Sequence, residues 1–321
     1  DSDRTSGRFL LTGSVTMPAA QPAGDSLAGR VVGTRVFGFS QGERAGRRDD
    51  FVRAVLRGAL EAQYRSGMGR ADYVDLLAAG SMPEACRLPQ RYRADWLESY
   101  VSRLLGRDLR EFSRLSDPRR LRSLLAGLAA AQGSETVVAR LGGAVNLSAS
   151  TTTSYMELLR ALHLVERLPP WTPNLLKREV GRSKYLLTDS ALAMRLTRTS
   201  PDTLKDLVRG GALGGLLEAF VAAELMRQST WCEERFTISH YRSPDGREID
   251  LILELDDGRV IAVEVKAASS ASAADARHLR WLEERIGDRL VAGVVLTTDD
   301  RSRHLGGRLW AVPVAALWEL G

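Results

Sequence analysis

Cysteine is almost missing from this chain: there are two, Cys86 and Cys232, far apart among 321 residues. That scarcity excludes a disulfide framework and a four-cysteine zinc site, and it points to a reducing compartment, with the cytoplasm as the default. Histidine is nearly as rare. His163, His240, His278 and His304 are scattered without an HExxH or an i, i+4 pair, so structural or surface roles are expected of them. No apolar run approaches the ~18 to 20 residues that a bilayer-crossing helix needs. No signal or transit segment is visible, and the chain opens on Asp1 as though cut from a longer one. A GxxxxGK(S/T) loop is also absent, so these residues by themselves are not expected to hydrolyse ATP. Lysine is the last shortage: of 45 basic residues only Lys177, Lys184, Lys205 and Lys266 are lysines. Where arginine serves as the generic cation, a lysine marks a place that wants a compact point charge.

What is present describes a soluble globular chain long enough for two or three domains, 44% hydrophobic and 26% charged. The net charge of +5 suits a polyanionic partner and equally a basic enzyme. Residues Arg8 to Gly13 read as a short buried strand and Val31 to Phe39 as a second extended stretch, separated by a Pro/Ala/Gly-rich connection. Two strands make no stable sheet, so further strands are expected upstream. From Arg48 to about Leu115 the apolar residues recur at helical spacing. Ten arginines between Arg87 and Arg122 alternate with acids, as on a solvated helix surface.

Asp117 followed by Pro118 is an N-cap and first-turn proline opening a helix through Ala131. A helix from Ser134 to Leu141, a Gly142-Gly143 turn and a helix from Ser148 to Leu162 complete a helix-turn-helix order. Extended segments at Leu164 to Leu168 and Lys184 to Thr188 would form its wing. Ser150, Thr151, Thr153, Ser154 and Arg160 lie on the exposed side of the third helix, where small polar groups and a cation could meet DNA; a winged helix also serves as a spacer between proteins, and both readings stand.

The last third predicts a mixed α/β domain: a helix from Leu213 to Arg227, strands Phe236 to Tyr241, Glu248 to Leu255 and Arg259 to Ala267, a helix from Ser272 to Ile286, and a strand from Leu290 to Thr297. In REIDLILELDDGRVIAVEVK, Ile249, Leu251, Leu253 and Leu255 alternate with Glu248, Asp250, Ile252 and Glu254, and Ile261, Val263 and Val265 alternate with Glu264 and Lys266 on the second strand. This predicts one face inward and one outward. Asp256-Asp257-Gly258 suits a three-residue hairpin loop that pairs Leu255 with Arg259. Counting back, Asp250 stands opposite Glu264 and Glu248 opposite Lys266. Two carboxylates facing each other across a strand pair repel unless something neutralises them, and Mg²⁺ or Mn²⁺ is the natural candidate. Lys266 could then orient or deprotonate a bound water. Glu218 on the preceding helix is a further acid, with Glu224 competing for that role. Ordinary cross-strand ion pairs, Glu248 with Lys266 foremost, are the plainer alternative.

Asp250, Glu264-Val265-Lys266 and the helical Glu218 together resemble the PD-(D/E)xK, restriction-endonuclease-like nuclease superfamily. The resemblance implies that Asp250 and Glu264 bind metal and that Asp250, Glu264, Lys266 and Glu218 are catalytic. More widely, RFLLTGS, SLAGR, MPEA, WLESYVSRLLGRDLREF and KYLLTDSAL resemble a prokaryotic family of AAA-type ATPases whose C-terminal domain combines a winged helix with this nuclease-like fold. The implied organisation is an α/β multidomain protein. Residues 1–45 would be a remnant of the P-loop AAA-type core, 46–115 a helical lid or linker, 116–200 the winged helix and 201–321 the nuclease-like domain. Ser14 would occupy the polar sensor position and Arg30 would face a nucleotide phosphate. ATP is expected only with the missing P-loop portion. DNA is the expected partner, no membrane is expected, and self-association is left open. The alternative function is a nucleotide-regulated DNA- or protein-binding switch with an inactive nuclease-like fold, in a defence or toxin–antitoxin setting.

Overall fold

The computed structural model describes residues 7, 9–13, 32–108, 117–172 and 181–320. Helices dominate the first half: α1 (Gln41–Arg44), α2 (Phe51–Leu56), α3 (Arg70–Ala79), α4 (Pro83–Cys86), α5 (Gln90–Arg103), α6 (Pro118–Ala130), α7 (Val138–Ala144) and α8 (Ala149–Ala161). A two-stranded antiparallel wing follows, β1 (Val165–Leu168) with β2 (Lys184–Leu187). Then come α9 (Ser190–Thr197), α10 (Pro201–Lys205) and α11 (Leu213–Gln228). The C-terminal sheet is built from β3 (Phe236–Arg242), β4 (Glu248–Leu255), β5 (Val260–Lys266), β6 (Leu290–Thr297), β7 (Arg303–Gly306) and β8 (Leu309–Pro313), with α12 (Arg277–Ile286) before β6 and α13 (Ala316–Glu319) at the end. Its strand order is β3-β4-β5-β6-β8-β7, with the β5-β6 and β6-β8 pairs parallel.

The Asp117-Pro118 cap read from the sequence is in place, and the helix expected from Ser148 is capped by that residue. Asp117 accepts the N–H groups of Arg119 and Arg120 and Pro118 opens α6; Ser148 accepts the Thr151 N–H and opens α8. The α7–α8 corner closes tightly, because Gly142 leaves no room for a β-carbon beside the Thr152 hydroxyl. Helix α7 begins four residues later than expected. Glu135 bridges to Lys184 and the Thr136 N–H donates to the Ser183 carbonyl, so these residues extend the wing before the helix can start. Helix α12 likewise begins at Arg277 rather than Ser272, whose N–H and hydroxyl are bound by Asp275 in a turn.

Two expected strands do not form. Residues 9–13 have no strand and their apolar side chains are exposed, Leu10 at 90%; residues 32–39 form no strand either, although the Phe39 N–H donates to the Ser81 carbonyl and the Gly38 carbonyl accepts from Arg227. Neither segment has a ladder partner among the described residues, and a lone strand leaves its backbone groups to water. Ser14 and Arg30 lie outside the described residues.

The C-terminal sheet is covered on both faces, which corrects the expectation of an outward polar face. Leu251, Leu253, Ile261, Val263 and Val265 join a hydrophobic core that runs without a break from Phe51 in α2 to Trp318 in α13 and includes α11. Ile252, Val260, Ala262 and Val295 pack with Leu279 and Leu282 of α12 on the other side. Burial on two faces explains why nearly every residue of β4 and β5 is hidden.

Candidate functional site

The hairpin register is the one the loop dictates. Leu251 pairs with Val263 and Glu254 with Val260, the Leu255 N–H donates to the Arg259 carbonyl at 2.9 Å, and Gly258 takes φ +84°. Continuing that ladder sets Asp250 against Glu264. The backbone pairing stops at Leu251, however, and the Val265 N–H is taken instead by the Asp250 carboxylate, Oδ2 at 2.8 Å.

A bulge accounts for this ending. On the β3 side, Ser239 pairs with Ile252 and Tyr241 with Ile249, so Asp250 and Leu251 together oppose the single residue His240. The extra residue reverses the face of everything before it. Ile249 therefore packs under α12 with Ile252, while Leu251 belongs to the larger core. No residue in the segment is a glycine, so the alternation alone gave no sign of the bulge.

The open end of the hairpin gathers four carboxyl groups. Asp250 and Glu264 are 8% and 3% exposed, and Glu218 reaches the same place from α11. Glu248 does not pair with Lys266, as the plain register suggested; it meets Lys184 at 2.9 Å and Arg242 at 3.4 Å. Lys266 turns to Glu264, Nζ to Oε2 at 2.8 Å. The other oxygen, Glu264 Oε1, is buried without a hydrogen-bond partner, with His278 Nδ1 3.9 Å away. His278 lies on α12 and its Nδ1 is 2.6 Å from the Glu248 carbonyl.

The residue that sequence reasoning missed is Lys184. It opens β2 of the wing, is 2% exposed, and places its ammonium 2.8 Å from Glu218, 2.9 Å from Glu248 and 3.8 Å from Asp250. The signal was available in its rarity among so many arginines, but nothing in the local sequence linked a wing strand to acids more than thirty residues away.

Three contacts hold the wing there. The His240 N–H donates to the Pro169 carbonyl, the Trp171 N–H donates to the His240 carbonyl, and His240 Nε2 donates to the Arg182 carbonyl at 3.1 Å. On the other flank a β-carbon on Gly215 of α11 would stand 2.2 Å from the Gln132 carbonyl, and one on Gly133, at φ +77°, would meet Glu218 at 2.9 Å. Backbone thus packs on backbone between α11 and the turn after α6.

Electrostatically the site is short of positive charge. Burial first, and then the Asp250 charge, push Glu218 up to about 8 despite the pull of Lys184. Glu264 is raised by the same two causes in the same order. Burial opposes the charged form of Lys184, but Glu218 and Asp250 outweigh it and hold the ammonium above the ordinary lysine range. Among the described residues no set of three or more His, Cys, Asp and Glu side chains forms a ready cage for a metal ion. Two carboxylates with open coordination positions nevertheless suit a hard divalent cation that keeps its waters, and the unpartnered Glu264 Oε1 beside Asp250 fits that role.

The other acid considered, Glu224, is remote from this chemistry. It is fully buried, accepts the Gln41 N–H, and pairs with Arg227, whose guanidinium also donates to the carbonyls of Gly38 and Thr188. Its role is to tie the segment before α1 to α11. On α8, Ser150, Thr153, Ser154 and Arg160 are exposed and Thr151 is half-buried. All four hydroxyls are already engaged within the helix and its cap: Thr153 and Ser154 donate to carbonyls one turn back, and Ser150 and Thr151 each share a hydrogen bond with Ser148.

Residues 70–203 match the family model described as a domain of unknown function, DUF8612, and residues 213–317 match a second domain of unknown function, DUF4143. The chain is 26% identical over 265 residues to the uncharacterized proteins Mb2031c of Mycobacterium bovis and Rv2008c of Mycobacterium tuberculosis, a stretch covering 83% of this chain and 53% of each relative. The chain therefore spans about half the length of the curated relatives it matches. No solved structure matches it. No helix among the described residues is long and apolar enough to cross a membrane.

Proposed function

We propose that residues 201–321 of this chain are a divalent-cation-dependent phosphodiesterase of the PD-(D/E)xK kind, acting on DNA that the winged helix presents. The observation that carries this reading is the buried, unpartnered Glu264 Oε1, set against Asp250 at the fork where β4 and β5 part, with Lys266 beside it. Asp250 and Glu264 would hold Mg²⁺ or Mn²⁺, which when bound supplies positive charge to a phosphate oxygen and makes water a better nucleophile. Asp250 is kept in place by the Val265 N–H. The side chain of Lys266 is one-third exposed, at 35%, and so presents its ammonium to solvent, where it can orient a water and counter the charge that gathers on the phosphate. Glu218 completes the acidic group through Lys184 rather than by direct contact with the hairpin. The placement of residues 1–45 in an AAA-type core, with ATP as its ligand, rests on the sequence resemblance alone.

The test is incubation of the purified chain with single- and double-stranded DNA in the presence of Mg²⁺ or Mn²⁺. Cleavage is expected, falling about 100-fold or more in Asp250→Ala and in Lys266→Ala. Cleavage that survives both substitutions sinks the assignment. A second reading, a DNA- or protein-binding regulator whose nuclease-like fold is inactive, is favoured by the way Lys184 fills one side of the acidic group. Cation-independent DNA binding with no cleavage would select it.

A further inference from the structure

Lysine is rare here, and the one at the start of β2 is buried among acids contributed by two other elements, α11 and β4. A second deeply buried ion pair, Glu224 with Arg227, uses arginine, and that guanidinium spends donors on two backbone carbonyls as well as on its carboxylate. The contacts of the Lys184 ammonium are of another kind: Glu218 at 2.8 Å, Glu248 at 2.9 Å and Asp250 at 3.8 Å, carboxylates throughout. Three acids around one compact cation exceed what a structural ion pair needs. Carboxylate oxygens are the donors a hard metal ion prefers, although here they are gathered around the ammonium and not set as a ready cage, and an ammonium is the side-chain cation nearest to such an ion in size and charge concentration.

The cation is also fixed. His240 binds the Pro169 and Arg182 carbonyls, at the two ends of the connection between β1 and β2, through its N–H and Nε2, and the Gly133–Gly215 contact leaves the turn beside Glu218 no slack. Together Glu218, Glu248, Asp250 and Glu264 face Lys184 and Lys266, four acids to two ammoniums, with Arg242 reaching Glu248 only from the exposed rim. Ionising all four together would leave two negative charges unmatched, the charge that one divalent ion carries.

We propose that Lys184 is a built-in counter-cation, supplied by the wing, that occupies the Glu218–Glu248–Asp250 side of the site in place of a second metal ion. The site then takes up a single divalent cation, on the Asp250–Glu264 side. This rests on the metal-site reading given under Proposed function. Lys184 is a positioning residue, acting on substrate only through the acids it holds.

Mn²⁺ binding, counted by electron paramagnetic resonance of the free ion during titration, tests it without any reaction. The wild-type chain is expected to bind one equivalent and Lys184→Gln a second. The double variant Lys184→Gln/Glu218→Gln, which removes an acid with the cation and so protects folding, is expected to return to one. Lys184→Gln binding Mn²⁺ with wild-type count and affinity overturns the proposal, as does a double variant that still takes up two. Uptake by Lys184→Gln but not by wild type would keep Lys184 as counter-cation while removing the Asp250–Glu264 metal site. No uptake by either chain would remove both.

Discussion

At the residue scale, the closest approaches decide what the site can be. Gly215 and Gly133 let the turn after α6 lie on α11, and that contact brings the wing within reach of Glu218. A methyl at Gly215 would sit 2.2 Å from the Gln132 carbonyl oxygen, a backbone atom that cannot swing aside. Gly215→Ala is therefore expected to cost about 1 to 3 kcal/mol despite the better helix propensity of alanine, because overpacking outweighs propensity. Chemical denaturation measures this, and a variant as stable as wild type would show that α11 and the turn are not in firm contact. Gly211, with open space around it, is the control: alanine there is expected to be close to neutral. Of the site itself, the facing of Asp250 and Glu264 was legible, since loop length and period-two alternation fix a hairpin register jointly. The Asp250 bulge and the Lys184 contact were not, because each depends on a tertiary neighbour with no local sequence counterpart.

At the scale of elements, what could be read followed from how local each determinant is. The caps of α6 and α8, the wing strands and β3 through β6 came through because short-range patterns and caps dictate them. Strands β7 and β8 and helix α13 were passed over. Strand β7 is a four-residue exposed edge, and β8 is short, its pairing set by β6 rather than by any alternation of its own. Apolar residues 9–11 failed in the opposite sense, carrying strand character without forming a strand. The same locality limits α8 as a DNA reader. With the Thr153 and Ser154 hydroxyls returned to their own helix, Arg160 is the α8 side chain that the proposed DNA binding would rely on to meet a phosphate. Arg160→Glu is expected to weaken DNA binding about 10-fold at low salt and to flatten the salt dependence, whereas Ser154→Ala changes it less than twofold. Fluorescence anisotropy across a salt series checks this, and equal effects from the two substitutions would remove α8 from the interface.

At the scale of the whole molecule, the seam between the wing and the sheet is where pH is expected to act. His240 has no exposed surface, and burial, reinforced by the Lys184 charge, lowers its pKa to about 4. The unfolded chain binds a proton there below about 6.5 while the native chain refuses it until about 4. Stability from this residue is thus complete above pH 6.5 and is lost as pH falls toward 4, by on the order of 3 kcal/mol at about 1.4 kcal/mol per unit. Glu224 works against it: with its carboxyl pushed up to about 6, mainly by burial, it favours the native state most below pH 4.5 and loses that contribution as pH rises to 6. The two overlap, so the raw pH profile of the wild type does not separate them and a comparison of variants does. His240→Gln keeps an amide donor for the Arg182 carbonyl and removes the titration. Its stability relative to wild type should improve by about 3 kcal/mol between pH 7 and pH 4, read from urea unfolding at each pH. Because a single core links α2 to α13, that unfolding should be one cooperative transition, with the wing, the helices and the sheet lost together. A His240→Gln curve parallel to wild type across the range would mean that the imidazole is already charged in the native chain, and the seam beside Lys184 would then carry one more cation than its carboxylates were taken to hold.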